Sequence, residues 1–194
     1  MLYSILRHIS IILFKILFRF KAKGLEHIPK RGGFILASNH VSYLDPIAVG
    51  VACQRKLNYM GKEELFCNPL FSRFLFRINV FPVKRDSADL SALKEAMRRV
   101  KRGEPLVLFP EGSRRFDGAS GDPYPGIGFL AAKLSVPVIP AFVKGTEKAL
   151  PAGAKFIRLT NISVCFGKQI SIERRMPYQA LAQHIMDNIR HLSC

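Results

Sequence analysis

His40 and Asp45 stand in the stretch ASNHVSYLDP, positions 37–46, with Val41, Ser42, Tyr43 and Leu44 between them. An imidazole held by a carboxylate through one ring nitrogen is a general base, able to take a proton from a hydroxyl with the other. A blander structure fits the same two residues: a histidine at a strand end, and an aspartate capping a helix that Pro46 begins. One carboxylate can serve both ends, since it has two oxygens. Further along, PEGSRR at 110–115 sets the carboxylate Glu111 and the turn residue Gly112 ahead of Arg114 and Arg115, and VKR at 83–85 ends on Arg85. Arginine suits a phosphate site because its planar fork binds bidentately and stays charged.

These residues matter together only if the fold gathers them. GGFILAS reads as a buried strand ending just before His40, and a helix follows from Pro46 to about Gln54. KLNYMG is a short strand, NPLFSRFLFRI a helix and NVFPV a strand. The next helix is capped by Asp86 or Ser87, with Leu90, Leu93, Met97 and Val100 on its apolar face. Arg98, Arg99, Lys101 and Arg102 form a solvated C-terminal turn, and Gly103 ends it. LVLF, then the helix GIGFLAAKLS, then the strand VPVIPAFV continue the alternation. A late strand at 161–166 and a helix at 179–192 close it, with Leu181, Ile185, Ile189 and Leu192 on one face. Alternating strands and helices imply an α/β domain, a mixed, mostly parallel sheet covered by helices. Sites in such sheets gather at the carboxyl ends of strands. His40, Lys84 with Arg85, and Glu111 with Arg114 each follow a strand, so parallel pairing would bring them to one edge.

The chain has 194 residues, 48 % of them hydrophobic and 23 % charged, which suits one globular domain. Its net charge is +16, from 30 Lys and Arg against 14 Asp and Glu. Such a field draws polyanions: nucleic acid, an anionic membrane surface, or phosphorylated substrates. Cys53, Cys67, Cys165 and Cys194 form no CxxC pair, and the histidines form no HExxH cluster. That favours free thiols in a reducing compartment and no metal site. Cys53 and Cys67 read as buried small hydrophobes rather than acyl carriers.

Residues 1–23, beginning MLYSILRHISIILFKILFRFK, are rich in Ile, Leu and Phe but interrupted by Arg7, Lys15 and Arg19. A spanning helix needs ~20 mostly apolar residues, so this segment is too charged to cross a bilayer. On a helix of about 100° per residue, Ser4, Arg7, His8, Lys15 and Arg19 share one sector and the rest is apolar. The reading is an amphipathic helix lying on a membrane surface, its cations toward phosphate headgroups, followed by one domain over 24–194. The competing readings are a first helix packed on the domain's own core and a signal peptide, against which Lys15, Phe18 and Phe20 argue.

Four blocks resemble the glycerolipid acyltransferases of the 1-acylglycerol-3-phosphate (lysophosphatidate) type, in the family's order. They are NHVSYLD, NVFPVKR, FPEGSRR and VPVIPAFV, within residues 39–143. The departures are Asn79, where the second block often has Gly, and Tyr124, where a Lys often precedes Pro-Gly; both bear on acceptor binding. The chain also ends early for this family, which implies a reduced acyl pocket. The resemblance implies a peripheral membrane enzyme on the cytoplasmic face. It would move a fatty acyl group from a thioester, acyl-CoA or acyl-carrier protein, to the hydroxyl of 1-acylglycerol 3-phosphate, giving phosphatidate. It implies His40 as base, Asp45 as its orienting partner, and Arg85 and Arg114 on the acceptor phosphate. Glu111, beside Gly112, would orient acceptor hydroxyls or brace the arginines. No cofactor is implied beyond the thioester co-substrate. A backbone N–H near the His40 or Gly112 turn is the expected oxyanion donor. Three other readings remain: a sister enzyme acting on glycerol 3-phosphate or another lysolipid, a membrane-bound relative without catalysis, and a basic nucleic-acid-binding protein. The last explains the charge but not the block order.

Overall fold

The computed structural model describes residues 2–84, 89–112, 122–151, 153–154, 156–173 and 175–192. Arg85, Asp86, Ser87, Arg114 and Arg115 lie outside these. In chain order the elements are α1 (Leu2–Phe18), β1 (Lys21–Lys23), β2 (Ile35–Ser38), α2 (Asp45–Ala52), β3 (Asn58–Lys62) and α3 (Pro69–Arg77). They continue with β4 (Val80–Val83), α4 (Leu90–Lys101), β5 (Leu106–Leu108), α5 (Pro125–Leu134), β6 (Val138–Lys144), α6 (Thr146–Ala149), β7 (Ser163–Phe166) and α7 (Tyr178–Arg190).

The strands form one seven-stranded sheet in the order β1-β7-β6-β2-β5-β3-β4. Every neighbouring pair is parallel except β6 with β7. β2 lies at the centre and is buried along its whole length, as an uninterrupted apolar run in a parallel sheet requires. The carboxyl ends of β2, β3, β4, β5 and β6 therefore share one edge, the placement the alternation of elements predicts.

Two apolar layers cover the sheet. On one side Phe34, Leu36, Val107 and Ile139 pack with Ala48, Val49 and Ala52 of α2 and Phe14 and Phe18 of α1. On the other, Ile35, Leu106 and Val138 pack with Ala96 and Val100 of α4, Leu130 of α5, and Leu181, Ile185 and Ile189 of α7.

Several local expectations change. The α4 cap is Asp89, whose carboxylate accepts from the N–H groups of Ser91 and Ala92; Asp86 and Ser87 are outside the described residues. Leu90, expected on the apolar face, is exposed; Val100 is buried as expected, together with Ala92 and Ala96. Arg99 is not a solvated cation: its Nε meets Glu95 at 2.7 Å, its Nη1 meets Asn58 at 2.5 Å, and its guanidinium lies 4.7 Å from the Phe81 ring centre. Asn79 has φ of 64°, a left-handed conformation that Asn tolerates better than most residues. Its place is one where the resembled family often has Gly. Cys53 and Cys67 are free thiols, Cys53 buried but Cys67 exposed, against the reading of both as buried; Cys165 is disulfide-bonded, against the expectation of free thiols throughout.

The N-terminal helix ends at Phe18, and Lys21–Lys23 joins the sheet beside β7. Arg7 does not face outward. Its Nε donates to the carbonyls of Gly50 and Cys53, both at 3.1 Å, and its Nη2 to that of Val51 at 3.3 Å. These are the unpaired carbonyls at the end of α2, where the helix dipole also favours a cation. The Tyr3 hydroxyl accepts the Leu57 N–H at 3.1 Å, and burial raises its pKa. The outer face of α1 is Ile5, Ile9, Ile12, Leu13 and Ile16, all exposed. No described helix is long and apolar enough to cross a membrane.

Candidate active site

β2 carries the chain to the functional edge, and Asn39 fixes where it stops. The Asn39 amide donates to the Val143 carbonyl at 2.9 Å and accepts the Val143 N–H at 2.7 Å. A side chain thus continues the ladder between β2 and β6 by one step, rather than closing a local turn.

His40 comes next, 7 % exposed, and Asp45, at the first turn of α2, is fully buried. His40 Nδ1 lies 2.9 Å from Asp45 Oδ2. The same oxygen accepts the N–H groups of Val41 at 2.6 Å and Ser42 at 2.7 Å. The other oxygen, Oδ1, accepts the Thr146 hydroxyl at 2.6 Å. Asp45 is therefore not the cap of α2: it is the helix's first residue, Leu44 holds the cap position, and no side chain caps the helix. Its carboxylate turns back over the 40–42 loop. Backbone N–H groups can only donate, so Oδ2 is an acceptor and the ring nitrogen facing it carries the proton. That tautomer leaves the lone pair on Nε2, as a general base requires.

Two further contacts set the imidazole plane. The ring stacks on Phe109, just past β5, with centroids 4.1 Å apart and 24° between planes. Glu111 Oε2, two residues later, accepts the His40 N–H at 2.9 Å. Glu111 is 7 % exposed, and it ties the loop after β5 to the loop after β2. Gly112 follows with φ of 65°. A Cβ there would fall 2.6 Å from ring carbons of Tyr124, an exposed side chain that can swing aside, so it is the backbone conformation that calls for glycine.

Ser42 is a brace, not a nucleophile: its hydroxyl donates to the Leu150 carbonyl at 3.1 Å and accepts the Leu44 N–H at 3.3 Å. Cys53 is buried, and burial pushes its thiol pKa up, which disfavours a reactive thiolate. Four of the backbone N–H groups at these two turns are already engaged. The N–H groups of His40, Val41 and Ser42 go to carboxylates, and that of Gly112 goes to the Phe109 carbonyl at 2.9 Å.

Of the residues singled out in the sequence, His40, Asp45 and Glu111 join in one hydrogen-bonded cluster with Gly112 beside it. Lys84, at the end of β4, pairs with Glu63 at 3.9 Å. Arg85 and Arg114 lie outside the described residues. Thr146 and Phe109 were not anticipated. A threonine after a glycine at a strand end reads as a turn, and only the fold brings it to Asp45, 101 positions away.

Residues 19–144 match the family model described as Acyltransferase. The chain is 33 % identical over 138 residues to a chloroplastic 1-acyl-sn-glycerol-3-phosphate acyltransferase of Brassica napus, across 70 % of this chain and 40 % of that one. It is 32 % identical over 126 residues to the 1-acyl-sn-glycerol-3-phosphate acyltransferase of Bacillus subtilis, across 64 % of this chain and 62 % of that one. The chain thus spans less than two thirds of the length of these relatives. The crystal structure of the 1-acyl-sn-glycerophosphate (LPA) acyltransferase from Thermotoga maritima shares its fold, with a TM-score of 0.83 at 23 % identity, over 97 % of this chain and 76 % of that one. The matched segment starts just before β1 and closes on the last residue of β6, taking in every strand that ends at His40, Glu111 or Lys84; the chain belongs to the Acyltransferase family.

Proposed function

We propose that the protein transfers a fatty acyl group from an acyl thioester to the free hydroxyl of 1-acylglycerol 3-phosphate, giving phosphatidate. The observation that carries this reading is the His40 ring, held through Nδ1 by a buried carboxylate at 2.9 Å. An alcohol is a poor nucleophile at neutral pH. Nε2 of His40 takes its proton as the oxygen attacks the thioester carbonyl, a step worth ~10²- to 10⁴-fold. The tetrahedral intermediate collapses, the C–S bond breaks, and the thiolate leaves with the proton returned by His40. Asp45 stabilises the imidazolium between these events. No protein nucleophile takes part. Arg85 and Arg114 hold the acceptor phosphate. Glu111 positions His40 through its backbone, a role beside its expected one toward the acceptor hydroxyls.

The acceptor is named from the relatives, and the donor is acyl-CoA or acyl-carrier protein, both acidic and suited to a chain of net charge +16. The protein works on the cytoplasmic face of an anionic membrane, resting on the outer Ile and Leu stripe of α1, with His8 and Lys15 along one border of that stripe. His40→Ala is expected to lower turnover by at least ~10²-fold while the thermal midpoint and vesicle binding hold. Retention of about a tenth of wild-type turnover would remove His40 as the base.

A further inference from the structure

α3 is the least covered of the described helices. Leu75 is its one buried residue, while Leu70 is 79 % exposed, Phe71 44 %, Phe74 37 % and Phe76 51 %. At about 100° per residue, Leu70, Phe74 and Phe71 share one sector, and Arg73 and Arg77 run along its border. Asn68 caps the helix, its side chain accepting from the N–H groups of Leu70 and Phe71, so the exposed apolar turn is formed and held. From Cys67 to Lys84 the chain has no acidic residue but carries Arg73, Arg77 and Lys84.

Topology decides which way this surface looks. The step from β2 through α2 to β3 and the step from β3 through α3 to β4 run the same way across the sheet. Right-handed crossovers then put α2 and α3 on one face. α1 packs on α2 through Arg7, and its exposed stripe is on that face too. The steps through α4 and α5 run the other way and cover the opposite face.

We infer that α3 is a second lipid-contacting helix, which lays Leu70, Phe71 and Phe74 into the same anionic membrane surface as α1. Arg73 and Arg77 meet the phosphates. A row of apolar side chains bordered on its own helix by Arg73 and Arg77, with Glu63 and Glu64 on the turn before it and Glu63 paired to Lys84, complements a headgroup layer of negative charge over hydrocarbon. Two contacts also do what one cannot: they fix the tilt of the domain. α3 starts just past the end of β3, on the edge that carries His40, so that edge is held toward the lipid from which a lysolipid arrives. This inference rests on the membrane-surface reading of α1, and the test separates the two.

The chain contains no tryptophan, so a single introduced one reports alone. Phe71→Trp on α3, Ile12→Trp on α1 and His184→Trp on α7, exposed on the opposite face, are each titrated with equimolar phosphatidylcholine–phosphatidylglycerol vesicles, some carrying brominated acyl chains. The expected result is a blue shift with bromine quenching for Phe71→Trp and Ile12→Trp and no change for His184→Trp. A response from Ile12→Trp alone overturns the α3 inference and leaves the α1 reading standing. Silence from both overturns both. A response of Phe71→Trp to acyl-carrier protein but not to vesicles makes α3 a protein-docking surface instead. Leu70→Glu with Phe74→Glu, checked for an unchanged thermal midpoint, is expected to weaken vesicle affinity about tenfold; wild-type affinity would contradict the inference.

Discussion

Both oxygens of Asp45 serve one histidine, and this gives Thr146 a role that can be measured. Its hydroxyl holds Oδ1 so that Oδ2 stays on His40 Nδ1. Thr146→Val removes the donor and keeps the shape. A buried carboxylate oxygen left without its partner costs about 1–3 kcal/mol, and a loosened base is expected to lower kcat about tenfold while the acceptor KM holds. Thr146→Ser restores the hydroxyl and is expected to restore kcat. If the Ser variant were as impaired as the Val variant, restoring the hydroxyl would not restore the base, and the role given to the Thr146 hydroxyl would be contradicted. Gly112 makes a second residue-scale test. Gly112→Ala adds a side chain at φ of 65°, so thermal stability is expected to fall by about 1 kcal/mol for the backbone. Tyr124 is exposed and can move aside, so Tyr124→Ala in the same chain should recover little of this. A Gly112→Ala protein as stable as the wild type would contradict this account of the turn.

At the scale of elements, Asp89 joins β4 to α4. Its Oδ2 accepts the Lys84 N–H and its Oδ1 accepts from Ser91 and Ala92. The Lys84 N–H above all, then the Ser91 hydroxyl and the Ala92 N–H, lower its pKa to about 2. A pKa depressed by folding means stability present above the unfolded value near ~3.9 and lost as pH falls toward about 2. The group is exposed, so the gain is small. The gap in melting temperature between wild type and Asp89→Ala should be open near neutral pH, narrow as pH falls below ~3.9 and close only below about pH 2; a pH-independent gap would contradict it. The helices and strands around this joint were readable from periodicity, because long apolar rows have to match the sheet. What was not readable depended on contacts distant in sequence. Lys21–Lys23 has no apolar signal and becomes a strand only because β7 is beside it. Arg7 looked like a headgroup ligand until α2 supplied three carbonyls. The His40–Asp45 pair was readable because a tight loop and one helix start bring residues five apart together. Thr146 was not, since nothing local marks it.

The whole molecule places one reactive edge under a strongly basic chain. The parallel sheet gathers the ends of β2, β4, β5 and β6 there, and Glu111 and Asn39 join the ends of β5, β2 and β6 across the centre. The antiparallel β7 and the short β1 extend the far side and carry none of the site residues. α1 and α3 give the domain an apolar, cation-edged face distinct from the layer of α4, α5 and α7. Charge, edge and face all suit a protein that takes a phosphorylated lipid from a surface and acylates its hydroxyl. The most direct test is to incubate the purified protein with labelled acyl-CoA or acyl-carrier protein and a panel of 1-acylglycerol 3-phosphate, glycerol 3-phosphate and other lysolipids, and to identify the labelled product. Labelled phosphatidate, formed only with 1-acylglycerol 3-phosphate and lost in His40→Ala, is the predicted result. Label in another acceptor alone, or none with any acceptor, would contradict the account.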